Sequence, residues 1–278
     1  MRRFPVFLLC AFLASCTPVQ EETHKGPLTI FQPEHIRELG TGAVIEGPTI
    51  ATGEVEYGSI DGKILKGFIA IPPGDGPFPA LVLIHEWWGL NDNIRRNAQA
   101  FAQNGYVALA VDLFGESTTN AERARALANG VQANTAKAFT NVQQAVDFLV
   151  SDAIVDDKAL GSVGWGFGGG WSYEMAKKNL GMRVSILYYG PFKTDDDLAQ
   201  VKSLILGHFG ESDTTIPVAL VGEFREKLLE QSQEHEIYVY PNAGQSFTNN
   251  DSPVFDPAAA DVAWDRTLDF LQKTLPTE

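Results

Sequence analysis

One stretch limits the folds open to this chain more than any other: Leu160-Gly161-Ser162-Val163-Gly164-Trp165-Gly166-Phe167-Gly168-Gly169-Gly170-Trp171. An apolar strand runs into a glycine-dense turn, and a helix reaching about Lys178 follows. This is the layout of a nucleophile elbow, a sharp strand-to-helix turn that lifts one side chain over the C-terminal edge of a sheet. Gly164 and Gly168 answer to the tightness of the turn, where a Cβ would have no room. The lifted position falls on Gly166, which has no side chain to attack with. A scaffold for acyl transfer is legible here without its nucleophile.

The same letters carry a second reading. Gly164, Gly166 and Gly169 satisfy G-x-G-x-x-G between a strand and a helix, a spacing that can cradle a pyrophosphate. That fingerprint belongs to the first strand–helix unit of a domain, and here earlier units precede it. It also needs an acidic residue at the end of the next strand, and residues 184–189 offer none. The elbow is therefore the preferred reading and a nucleotide-binding turn the remote one.

The chain around the turn supplies the rest of an α/β architecture. Residues 80–84 and 106–111 are continuous apolar runs, as expected of strands buried on both faces of a parallel sheet. Further strands are predicted at 159–165, 184–189, 203–209 and 236–240, with helices at 91–104, 121–129, 135–150, 218–231 and 258–275. Residues 54–59 and 63–71, joined at Asp61-Gly62, read as an opening hairpin. After it strands and helices alternate. The pattern predicts a mostly parallel central sheet covered by helices on both faces, in one domain spanning residues 53–278.

Residues 1–15 read as a signal peptide: Arg2-Arg3, a short apolar run from Phe4 to Leu13, then small residues. Leu13-Ala14-Ser15-Cys16 resembles the lipobox of bacterial lipoproteins, which implies acylation of Cys16 and a membrane anchor after export, with Thr17 pointing to an outer membrane. Residues 16–52 then form a tether, with one short helix expected at 33–39 between Pro33 and Gly40. Cys10 would leave with the signal and Cys16 would carry lipid, so the mature domain has no thiol for catalysis, disulfide or metal. A net charge of −14 argues against nucleic acid as a partner. No cofactor or metal is expected.

A hydrolase on this scaffold places nucleophile, acid and base at successive strand ends. Gly210-Glu211-Ser212-Asp213-Thr214-Thr215-Ile216-Pro217 follows an apolar strand and puts Asp213 at the sheet edge. The base should follow the last strand, in Tyr240-Pro241-Asn242-Ala243-Gly244-Gln245-Ser246-Phe247, which holds no histidine. Ser162, Ser172 and Ser246 are poor substitute nucleophiles, and His85 and His208 are expected to be structural.

With these anchors in place the chain resembles the dienelactone hydrolase family of α/β-hydrolases. The likeness rests on His85-Glu86-Trp87-Trp88-Gly89-Leu90, on residues 105–115, on the elbow, on residues 210–217 and on Ala243-Gly244. The family elbow is G-x-C-x-G-G, with a G-H pair near the C-terminus. The resemblance lays the cysteine on Gly166, the histidine on Gln245 and the aspartate on Asp213. It implies that Glu86 stands beside the nucleophile position, and that the backbone N–H groups of Phe167 and Trp87 form an oxyanion hole. Trp87, Trp88, Trp165 and Phe247 are candidates for an apolar wall. The function implied is binding of, or impaired hydrolysis of, small esters or lactones; the alternative is a non-catalytic, lipid-anchored binding protein.

Overall fold

The computed structural model describes residues 49–199 and 201–277. The signal segment expected at 1–15, Cys16, the helix expected at 33–39 and all but the end of the tether expected at 16–52 lie outside the described residues.

An eight-stranded sheet organises the fold, in the order β1-β2-β4-β3-β5-β6-β7-β8. β1 (Ala51–Ile60) and β2 (Lys63–Ile71) pair antiparallel around Asp61 and Gly62. Both turn residues have positive φ, 51° and 77°, as a two-residue hairpin turn requires. β2 pairs antiparallel with β4 (Val107–Val111), and every later pairing is parallel: β4 with β3 (Phe78–Ile84), then β5 (Val155–Trp165), β6 (Val184–Tyr188), β7 (Leu204–Gly210) and β8 (Glu236–Tyr240). The apolar runs of β3 and β4 are buried along nearly their whole length, which is why they carry no polar alternation.

Helices cover both faces. On one, α1 (Asp92–Gln103) and α6 (Pro257–Thr274) contribute Ala98, Phe101, Phe270 and Leu271 to the core. On the other, α3 (Thr135–Val150) and α4 (Phe167–Lys178) contribute Val142, Val146, Trp171 and Met175. α5 (Val218–Leu229) extends this second layer through Phe224 and Leu228. Each fully buried Leu, Ile or Phe of these layers is worth about 1.5–3 kcal/mol.

α2 (Ala121–Ala133) is different: its only buried residue is Ala124. It runs four residues past the predicted end because Gly130 does not stop it. Asn134 does, closing α2 and capping α3 through Lys137 N, with no loop between. β5 likewise begins at Val155 rather than 159, since Asp156, Asp157 and Lys158 are extended but outside the core and so give no apolar signal.

Side-chain caps close the N-termini of α1, α2, α3 and α6, through Asn91, Asn120, Asn134 and Asp256. The N-terminus of α4 has none, because its cap residue is Gly166. The free N–H groups of that helix end lie at the sheet's C-terminal edge, where the candidate site is built.

Candidate active site

β5 ends at Trp165 and α4 starts at Phe167, so one residue makes the whole turn. That residue, Gly166, sits at φ 50°, ψ −112°, a conformation that strains any residue with a Cβ. Its N–H is held by the carbonyl of Tyr188 at 2.9 Å. The neighbouring glycines answer to space: a Cβ on Gly164 would overlap the Gly168 carbonyl, and one on Gly168 the carbonyl of Ile84. Gly166 does not. The atom nearest to a Cβ there would be Gln245 Nε2 at 3.7 Å, followed by the Tyr189 ring at 3.9 Å, both ordinary contacts. The turn has room for a side chain that the sequence does not provide.

The segment after β3 is fixed from beneath by His85, which is fully buried. Its Nε2 accepts from Leu113 N at 3.1 Å, which leaves Nδ1 to donate to the Glu86 carbonyl at 2.6 Å. The ring lies edge-on to Phe114 and parallel to Phe167. Burial holds its pKa below the usual histidine value, against a weaker opposite pull from Asp112. His85 is thus a neutral pin between two loops and does not face the cleft.

Glu86, next in sequence, is only 3% exposed. Its Oε2 accepts from Asn249 Nδ2 at 2.5 Å, and its Oε1 has no hydrogen-bond partner. Burial pushes its pKa up; Asn249, Tyr189 and Ser246 oppose that by favouring the charged form, though neither hydroxyl closes a hydrogen bond on Oε1. Tyr189 itself sits at φ 39°, strained for so bulky a residue, with its hydroxyl 2.9 Å from Thr248 Oγ1.

The acid and base positions are joined by the loops after β7 and β8, which cross-link at Ser212 N to Ala243 O, 2.9 Å. Asp213 Oδ1 accepts from Thr215 N at 2.7 Å and Ile216 N at 3.0 Å, while the buried Oδ2 has no partner. Gln245 Nε2 donates to the Tyr189 carbonyl at 3.2 Å, and this fixes the amide's orientation. Its Oε1 is buried without a partner.

A cleft of about 920 Å³ opens here, and its wall includes Glu86, Trp87, Trp88, Gly166, Phe167 and Gln245, while Asp213 is buried and is not part of that wall. Arg125 of the loosely packed α2 also lines it, as do Asp92 and Asp251. Two of the aromatic residues expected on the wall are not there. Trp165 is buried against Tyr188, with ring centroids 5.5 Å apart, and Phe247 is fully buried between Tyr189 and Tyr240. Trp165 closes β5, where side chains alternate between the two faces and its own takes the inward direction, while Phe247 lies in the turn after β8 and folds back onto the core.

His208 lies in the core between Tyr240 Oη (2.8 Å) and Thr267 Oγ1 (3.0 Å), and burial drives its pKa down to about 3. Ser162 and Ser172 belong to a buried hydroxyl chain that continues through Ser185 to Ser203. Ser246, at φ 63°, does line the cleft. Tyr189, Asn249 and Arg125 were not anticipated. Asn249 stands four residues beyond Gln245, and only the turn that bends Ser246 into the left-handed region brings it back to Glu86.

Comparison with known proteins places this geometry in a family. A 2-oxo-3-(5-oxofuran-2-ylidene)propanoate lactonase, so named on probable grounds, from Bradyrhizobium sp is 28% identical over 81% of this chain and 95% of its own. The protein usf of Aquifex pyrophilus is 30% identical over 77% of this chain and 96% of its own. Among solved structures, a dienelactone hydrolase-like promiscuous phosphotriesterase from metagenomic libraries superposes with a TM-score of 0.74 at 21% identity, covering 81% of this chain and 98% of that one. The sequence model of the dienelactone hydrolase family matches residues 65–275, from β2 to the end of α6, and the chain belongs to that family.

Proposed function

We propose that the cleft binds small esters or lactones and hydrolyses them far more slowly than an intact cysteine–histidine–aspartate triad would. The observation that carries this is the pairing of Gly166 with Gln245: a turn with room for a nucleophile, and an amide nitrogen 3.7 Å from where a Cβ on that turn would stand. Glycine has nothing to attack with, and a glutamine amide takes no proton near neutral pH. In a comparable triad, loss of nucleophile or base alone costs about 10⁶ in turnover, leaving roughly 10³–10⁴ over water from oxyanion stabilisation and binding. The means of binding are the N–H groups of Phe167, at the uncapped start of α4, and of Trp87, which would hold a carbonyl oxygen. Trp87 and Trp88 give the acyl or alcohol part an apolar surface. The name of the Bradyrhizobium relative supports a lactone or ester as ligand.

The test is a calorimetric titration with ethyl pentanoate and γ-butyrolactone, run beside a hydrolysis assay on p-nitrophenyl acetate. Saturable binding with turnover near the uncatalysed rate is the expected result. Rapid hydrolysis that survives Asp213→Ala would place the chemistry elsewhere in the chain. Export and acylation at Cys16 complete the reading, which puts the binding domain on a membrane surface, at the outer membrane on its periplasmic side.

A further inference from the structure

Two buried polar atoms on residues that line the cleft lack hydrogen-bond partners, and both are acceptors: Glu86 Oε1 and Gln245 Oε1. A buried acceptor without a donor is left desolvated and uncompensated by any hydrogen bond, so this wall is complementary to a ligand that brings hydrogens. The orientation of Gln245 is not arbitrary, because Tyr189's carbonyl claims the nitrogen and turns the oxygen away. Neither can Glu86 be satisfied by rotation, since Asn249 holds its other oxygen at 2.5 Å.

The charges facing the cleft point the same way. Its lining has three carboxylates, Glu86, Asp92 and Asp251, and one guanidinium, Arg125. Asp251 is paired with Arg96 at 2.8 Å and Asp92 with Arg95 at 3.5 Å, both in exposed positions at the mouth. Glu86 lies deeper and has no ion-pair partner among the described residues. Next to it in the chain, Trp87 and Trp88 pack with ring centroids 4.6 Å apart, tilted by 53°, and both line the cleft. Indole faces attract cations, and the attraction grows where water is excluded.

We propose that the cleft selects ligands carrying an organic ammonium group, a protonated amine that donates to Glu86 and Gln245 and lies against Trp87. Within the ester-binding function above, on which this rests, the ligand is an amino ester or amino lactone. The ester carbonyl takes the Phe167 and Trp87 N–H groups, and the ammonium takes the carboxylate side of the cleft. No bond is made or broken in this step. The ligand supplies the positive charge that the buried Glu86 lacks, so Glu86 binds it as carboxylate.

The test compares two esters of nearly the same shape by isothermal calorimetry on the purified protein: ethyl 4-aminobutanoate, charged at neutral pH, and ethyl pentanoate, neutral. A charge-assisted hydrogen bond at a buried carboxylate predicts that the ammonium ester binds about tenfold or more tightly. Glu86→Gln, which retains an acceptor for Asn249, should bring the two esters level. Trp87→Leu should reduce the ammonium preference about threefold, and it serves as the check if Glu86→Gln does not fold. Equal or weaker binding of the ammonium ester to the unmodified protein would overturn the proposal and leave ester binding standing. A preference that survives in folded Glu86→Gln would overturn the assignment to Glu86. Failure of both esters to bind would overturn the ester site as well.

Discussion

At Gly166 the conformational preference of a single residue and the absence of a nucleophilic side chain coincide. Its φ of 50° with ψ of −112° costs a residue with a Cβ about 1–3 kcal/mol, which glycine avoids. The nearest atom to an added Cβ is 3.7 Å away, so steric overlap does not enter and the cost is one of backbone strain alone. Gly166→Ala is accordingly expected to lower stability by about 1–3 kcal/mol with no change in the dependence on denaturant, measured by urea unfolding. A neutral effect would mean that the turn is relaxed. His208 makes a second prediction at this scale. Its pKa falls from 6.5 to about 3 on folding, so the unfolded chain binds the extra proton. A group depressed in this way has no effect above the unfolded pKa and destabilises increasingly as pH falls below it. Between pH 6.5 and 5 the loss is on the order of 2 kcal/mol. His208→Gln should flatten that limb of the stability–pH curve, and an unchanged limb would assign acid unfolding to other groups.

Among the elements, those that build the sheet were legible and those that shape the cleft less so. β3 and β4 announce themselves because burial on both faces demands unbroken apolar runs, and the α4 turn because only glycine fits at Gly164 and Gly168. The positions of Gly166, Asp213 and Gln245 follow from strand ends that the sequence marks. Asn249 and Tyr189 do not, since their approach to Glu86 depends on residues at positive φ that are not glycine, Tyr189 and Ser246, and no composition signal predicts those. Trp165 goes to the core because at a strand end one residue decides between core and cleft, and Phe247 because the turn after β8, which has no sequence period, folds it inward. α2 buries only Ala124 yet presents Arg125 to the cleft, so its own helical stability governs how firmly that wall stands. Gly130 sits inside it with nothing within 4 Å of where a Cβ would be. Gly130→Ala should therefore stabilise the protein by about 0.5–1 kcal/mol and slow amide exchange across residues 121–133. Unaltered exchange there would show that packing rather than propensity holds α2 in place.

For the whole molecule, we propose a ligand-binding domain on a hydrolase scaffold with a lipid anchor at Cys16. The Cys16→Ser precursor should leave the membrane fraction of a bacterial host that processes lipoproteins, and an unmodified precursor found wholly in the soluble fraction would contradict the anchor. On the function proposed above, the cleft is intact and only the residues at Gly166 and Gln245 limit its hydrolysis. Gly166→Cys supplies a thiol with an ordinary pKa of about 8.5 and no base, and Gln245→His supplies a base with nothing to activate. Joined, with Asp213 to orient the imidazole, they reconstitute a unit whose members act non-additively. The decisive measurement is the turnover of p-nitrophenyl acetate by the folded Gly166→Cys/Gln245→His protein against each single variant. An increase of at least about 10² over either single is the expected result. A folded double variant no faster than the unmodified chain would show that the cleft has lost more than its nucleophile and base.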